Sequence, residues 1–249
     1  MSLNQTIFQQ TGGLSSYLSA VCRMVGTQEY AATLSLVDNL DEQAVLESIL
    51  DGYKPPHGEN SQDRHYLFSA PFRYPPQQYG SRFGARYEPS YFYASESVAC
   101  CLAEAAFYRF VLIEGTEKPF DMLIRSQHSL FYVNVQSDHA VDLCAVADED
   151  IQTSLKHPSS YAVTQDMGKY SREIGAKVIR YFSARHGHEG VNIAVDDHNT
   201  ITSNAPENMI NFLCEIDPQQ GIVRFSTPKT SPVTFKKEQF MVDGLFPDL

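Results

Sequence analysis

The chain is short of positive charge. Nineteen Lys and Arg face 30 Asp and Glu, a net charge of −11 over 249 residues. That balance argues against duplex nucleic acid as a partner, because binding a polyanion needs a basic surface. It still leaves room for a small anion in a locally positive cleft. No apolar run approaches the length of a membrane span. Met1-Ser2-Leu3-Asn4-Gln5 has no basic stretch and no apolar stretch after it, so no secretory signal is expected. The five cysteines are odd in number and form no Cys-x-x-Cys pair. A reducing cytoplasm is the simple reading, with Cys100 and Cys101 as packing thiols. Also missing are a Gly-x-Ser-x-Gly elbow, a P-loop and a Gly-x-Gly-x-x-Gly turn. His186, His188 and Glu189 cluster without the second ligand pair of a metal site, so no metal is expected.

What the chain does have is Pro71-Phe72-Arg73-Tyr74-Pro75-Pro76-Gln77-Gln78-Tyr79-Gly80-Ser81-Arg82-Phe83-Gly84. Prolines at 71, 75 and 76 forbid a continuous helix, and Gly80 and Gly84 permit close backbone approach. Arg73 and Arg82 are therefore expected on a stiff, irregular scaffold. The planar fork of arginine matches a phosphate bidentately, so two forks suggest a phosphate-bearing ligand. Structural stacking of both arginines on Phe and Tyr is the other reading. Eleven residues past Arg82 comes Tyr93, and eleven further comes Glu104. Tyr91-Phe92-Tyr93-Ala94-Ser95 reads as a strand. Ser95 or Ser97 can cap a helix running to about Leu112. That helix is apolar nearly all round, and Glu104 is its only acid between Ser97 and Ile113. A buried carboxylate needs a partner or a cleft. Either it pairs with Arg73, Arg82 or Arg109 for structure, or it is aimed at a ligand.

The rest of the chain reads as an α+β fold, with strands and helices mixed outside any regular βαβ alternation. Residues 6–52 show helical spacing, with a helix near 41–51 whose acids form a solvated face. They suggest an N-terminal helical extension over 1–53. Lys54 to Asn60 is a connector to the remainder, 54–249. A strand is expected at Leu130–Val135 and a helix over 169–186, stopped by Gly187. Further strands fall near Val191–Val195, Asn211–Ile216, Gly221–Ser226 and Val233–Lys237.

Phe-Arg-Tyr-Pro-Pro, Gly-Ser-Arg-Phe-Gly, Tyr-Phe-Tyr-Ala-Ser and Ala-Glu-Ala-Ala-Phe-Tyr-Arg, in that order, resemble the RES domain. The likeness is dense from about Lys54 to Phe110, thin to Lys169, and loose from Tyr170 to Ile216. It implies an ADP-ribosyltransferase-like core in 54–249 and cleavage of NAD⁺ at the nicotinamide–ribose bond. It implies family roles for Arg73, Arg82, Tyr93 and Glu104, with Tyr74, Ser203 and Asn208 beside them in binding NAD⁺. The family serine lies in a Ser-x-Arg context followed by Gly, Asn and an apolar strand. Around Ser203 the strand and an asparagine are present, and the arginine and glycines are not. Ser203 is either that serine or a turn residue.

In this scheme Arg73 and Arg82 hold the phosphates, Tyr93 packs on the nicotinamide or its ribose, and Glu104 stabilises the oxocarbenium-like charge. NAD⁺ is a substrate. Water, inorganic phosphate or a protein side chain accepts the ADP-ribosyl group, with Arg86 and Arg109 as candidate anion subsites. The implied partner is an Xre-type antitoxin. A mono-ADP-ribosyltransferase, a phosphoester hydrolase and a non-enzymatic interaction protein with a structural Arg/Glu network stay open.

Overall fold

The computed structural model describes residues 2–27, 38–53, 65–74, 80–117, 120–187 and 190–247. The expected connector at 54–60, Pro75 to Tyr79, His188 and Glu189 lie outside them. Among these residues six α-helices run α1 (Leu3–Gln10), α2 (Leu40–Tyr53), α3 (Tyr66–Arg73), α4 (Val98–Glu114), α5 (Glu149–Leu155) and α6 (Ala162–Glu173). Eight strands run β1 (Ser15–Gly26), β2 (Phe92–Ser95), β3 (Ile124–Asp142), β4 (Val178–Phe182), β5 (Val191–Val195), β6 (Glu207–Asp217), β7 (Ile222–Thr227) and β8 (Thr230–Lys236). The α+β expectation holds.

All eight strands join one sheet, ordered β1-β2-β5-β4-β3-β6-β7-β8, and β1 also pairs with β3. That extra pairing closes the first five strands into a ring. β3 is its spine. Its 19 residues run antiparallel to β1 from Ser15↔Ala140 to Gly26↔His128, antiparallel to β6 and parallel to β4 at Ala140↔Val178. The parallel step from β3 to β4 needs a crossover, which α5 and α6 supply. Apolar clusters fill the space between helices and sheet. Leu67 and Phe68 of α3 meet Phe92 and Phe131, while Leu102, Phe107 and Phe110 of α4 meet Leu130, Phe212 and Phe225. Burying each such phenyl ring contributes about 2 kcal/mol.

The structure corrects three readings. Residues 15–26 are a sheet strand, not part of a helical extension over 1–53. Tyr17 and Val21 face the core and Leu18 faces solvent, a pattern short enough to fit either period. Residues 169–186 are not one helix. α6 ends at Glu173, Gly175 takes φ +78°, and the chain re-enters the sheet as β4. A left-handed glycine just past a helix is the usual stop, and it comes twelve residues before Gly187. Arg73 stands on the last turn of α3, a helix that contains Pro71, rather than on an irregular loop.

An ion network ties the ring together. Arg180 of β4 forks onto Glu96 at 2.8 and 3.1 Å and reaches both oxygens of Asp142 at the end of β3. The Tyr17 hydroxyl of β1 donates to Glu96 at 3.0 Å. Three chain segments thus meet at one guanidinium and a fourth joins through Glu96, which is where a bidentate fork gains most over a single ammonium.

His128 of β3 is 5% exposed. Its ring meets Phe225 edge-on, and its Nε2 lies 2.9 Å from the Ser126 hydroxyl. Burial, with the Arg109 charge nearby, pulls its pKa from the ordinary 6.5 down to about 4. Below pH 6.5 the unfolded chain therefore binds a proton that the folded chain refuses. Stability from this group is complete above pH 6.5 and drains away as pH falls towards 4, about 3 kcal/mol in all. Urea unfolding of the wild-type chain and His128→Gln at several pH values checks this. The substituted protein should lose less stability across that window. Equal losses would place the effect elsewhere.

Candidate active site

A cleft of about 870 Å³ opens between α3, β1, β2 and α4. The described residues lining it include three arginines, Arg23, Arg73 and Arg82, and one carboxylate, Glu104. A protein of strongly negative net charge thus presents a locally positive hollow.

Arg82 sits on a tight loop. The Ser81 N–H donates to the Gly84 carbonyl at 2.7 Å, and the Gly84 N–H returns to the Ser81 hydroxyl at 3.2 Å. Gly80 has φ +76°, and a Cβ there would meet the Gly84 carbonyl at 2.6 Å. Behind the loop stands α6, where a Cβ on Gly168 would fall 2.0 Å from the Phe83 carbonyl. Both glycines are required by close backbone approach. The Arg82 guanidinium donates to the Leu155 and His157 carbonyls at 3.1 and 3.2 Å and lies 4.7 Å from the Tyr161 ring centroid. Below the loop, Arg172 pairs with Asp196 at 2.7 Å and Glu88 at 3.2 Å and covers the face of Tyr91.

Tyr93 lines the cleft, but its hydroxyl serves the loop. It accepts the Phe83 N–H at 3.1 Å and donates to the Ser81 hydroxyl at 2.9 Å. Burial pushes its phenol up to about 12, so it stays a donor. It clamps the arginine loop to β2.

Glu104 is held by neutral donors. The Ser183 hydroxyl and the Asn192 amide nitrogen both donate to its Oε1 at 2.6 Å. Ser183 is fixed in turn by the Arg185 and His186 backbone N–H groups at 3.0 and 3.1 Å. The expected choice of Arg73, Arg82 or Arg109 as its holder gives way to Ser183 and Asn192. Neutral donors stabilise the carboxylate without cancelling its charge.

Arg73 and Tyr74 line the cleft from α3, the Arg73 guanidinium 6.0 Å from the Tyr74 ring centroid. Ser203 and Asn208 do not belong to it. The buried Ser203 hydroxyl accepts the Asn134 N–H at 2.9 Å and donates to Glu207 at 2.7 Å, the work of a turn residue leading into β6. Asn208 is exposed on β6 with φ +47°. Arg86 stacks on Tyr87 instead of lining the cleft, and Arg109 lies by His128.

The structure adds two residues. One is Ser183, whose surroundings Ser183-Ala184-Arg185, Gly190 and Asn192 opening the apolar β5 carry the serine context missing around Ser203. That signal was present in the sequence and hidden by the helical reading of 169–186. The other is Arg23 on β1. Its guanidinium donates to the Tyr93 carbonyl and lies 4.9 Å from the Phe92 ring centroid, while its buried Nε finds no hydrogen-bond partner among the described residues. Burial lowers its pKa from the ordinary arginine value. A buried cation held by a carbonyl and a ring, in a cleft, is suited to an anionic guest.

The RES domain model matches residues 59–210, more than half of the chain, so this protein belongs to the RES domain family. Among solved structures, a chain of the M. tuberculosis MbcT–MbcA toxin–antitoxin complex is similar. It shares 13% identity at a TM-score of 0.46, over 88% of this chain and 96% of that one. No curated protein matches.

Tyr93→Phe removes the hydroxyl that joins Ser81 to Phe83. It should cost about 1–2 kcal/mol of stability, since the Phe83 N–H is left without its acceptor. Affinity for a phosphate-bearing ligand should weaken with it, because Arg82 rides on that loop. Denaturant unfolding and ligand titration read the two effects. Unchanged stability would mean that the loop holds without this clamp.

Proposed function

We propose that this RES-family chain acts as a toxin that cleaves the nicotinamide–ribose bond of NAD⁺ and passes the ADP-ribosyl group to water or inorganic phosphate. One observation carries the reading: a single carboxylate, fixed by neutral donors, in a cleft whose other charged lining residues, among those described, are three arginines. Arg82 and Arg73 take the pyrophosphate, with Arg23 a further cation on the same wall. Glu104 faces the ribose. As the glycosidic bond breaks, its electron pair leaves with nicotinamide and neutralises the pyridinium ring. Positive charge develops on the ribose, and the carboxylate stabilises it where it forms. The acceptor oxygen then bonds to the anomeric carbon and loses its proton to solvent. Water yields ADP-ribose, and phosphate yields its 1-phosphate. The tyrosines of the cleft, Tyr108 and Tyr161 among them, supply flat apolar walls for the aromatic rings.

An enzyme that consumes NAD⁺ requires restraint in its own cell. We assign that role to an Xre-type antitoxin that covers the cleft. No helix among the described residues is long and apolar enough to cross a membrane, and the reaction needs none.

Glu104→Gln keeps the volume and removes the charge. Nicotinamide release from NAD⁺ should fall at least about 100-fold, roughly 2.7 kcal/mol in barrier, with the fold intact. Chromatography of the reaction with and without phosphate identifies the acceptor. Full activity in a folded Glu104→Gln protein would remove Glu104 from the mechanism. No nicotinamide release by the wild-type chain would remove the reaction itself.

A further inference from the structure

Asn192 stands at the centre of a hydrogen-bond chain that ends on Glu104. The register of β2 against β5 sets Ser95 opposite Asn192. The Ser95 hydroxyl donates to Asn192 Oδ1 at 2.6 Å, and the Cys100 thiol reaches the same oxygen at 3.2 Å. Asn192 Nδ2 donates to Glu104 Oε1. Ser95, Cys100 and Asn192 are all buried, so water cannot easily replace a missing partner.

The polarity of this chain is fixed by its ends. An ionised carboxylate only accepts, and an amide has one accepting oxygen and one donating nitrogen. The carboxylate therefore takes the amide nitrogen, and Oδ1 is left to the Ser95 hydroxyl and the Cys100 thiol. Turning the amide over would set its oxygen against the carboxylate, a repulsive contact, and would forfeit the hydrogen bonds that Oδ1 accepts. Without Ser95, the oxygen end of the amide keeps only a weak thiol donor and can swing away from its place.

We propose that Ser95 is a positioning residue: with Cys100 it locks the Asn192 amide, and through that amide it orients the Glu104 carboxylate at the cleft. The inference rests on the reading of Glu104 as the charge-stabilising group. Ser95 touches no part of the reacting bond. Its effect is transmitted through one amide.

The test uses the full chain with Ser95→Ala, Ser95→Cys and the double variant Ser95→Ala/Cys100→Ala. Nicotinamide release should show kcat down about 10-fold in Ser95→Ala with KM within about twofold, since misorientation acts on the chemical step. Ser95→Cys, which restores a weaker donor of similar size, should recover part of the loss. The double variant should fall further. The activity-independent readout is solvent exchange of the Asn192 side-chain amide protons by nitrogen-15 NMR. They should be protected in the wild-type chain and exposed in Ser95→Ala. A loss expressed in KM, or an Asn192 amide equally protected in both proteins, overturns the proposal. If the wild-type chain releases no nicotinamide, the NAD⁺ reading fails, and the amide exchange still decides whether Ser95 locks Asn192.

Discussion

The closure of β1 onto β3 is the constraint from which the rest follows. β1 pairs along β3 from Ser15 to Gly26 and touches β2 at Cys22↔Ser95, and these two contacts turn an open sheet into a ring. The ring sets β2 between β1 and β5, so the residues of β2 reach both neighbours. Tyr93 meets the Arg82 loop, its carbonyl meets Arg23 from β1, and Ser95 meets Asn192 from β5. The Arg180 fork on Glu96 and Asp142 secures the place where the ring was joined. α4 packs through Leu102, Phe107 and Phe110 onto Leu130, Phe212 and Phe225, and Glu104 on the same helix lines the cleft.

The cleft's centre was legible in the primary structure because its residues are local. Arg82, Tyr93 and Glu104 follow one another at intervals of eleven, on a loop, a strand and a helix in turn, and a strand followed by a serine-capped apolar helix is readable from chemistry alone. Ser97 caps α4 as that reading requires. The second half of the site was hidden. Ser183 and Asn192 lie roughly 80–90 residues from Glu104, and only the pairing of β4 with β5 brings them under it. Ile174, Val178, Tyr181 and Phe182 fit a helical period on paper, but Gly175 in a left-handed conformation breaks the helix between the first and second of them. Arg23 was hidden for the same kind of reason. A twelve-residue strand with mixed burial carries too weak an alternation to announce itself, and nothing local to it points at a cleft.

Ser203 has a strand and an asparagine after it, and that resemblance of context was enough to suggest it. The deciding features, an arginine two residues on and glycines before the strand, exist at Ser183. They exist there because the β4–β5 turn must fold back tightly, with the Ser183 hydroxyl accepting two backbone N–H groups. A Cβ on Gly190 would strike the His186 side chain. Serine and glycine are therefore imposed by the turn itself, and the carboxylate makes use of a hydroxyl already immobilised for local reasons.

The contrast between the arginine-lined hollow and the acidic exterior has a kinetic consequence. Beyond a Debye length, about 8 Å at physiological ionic strength, the charges are largely screened, and within it an approaching anion meets the net negative surface. Only at the cleft do the three guanidinium groups prevail. Long polyanions, which must lay many charges along the outside, meet the repulsion over their whole length, whereas a compact anion crosses it once and then falls inward. The same arrangement of charge would favour compact anions over extended ones, and added salt would thin the outer repulsion and the inner attraction alike.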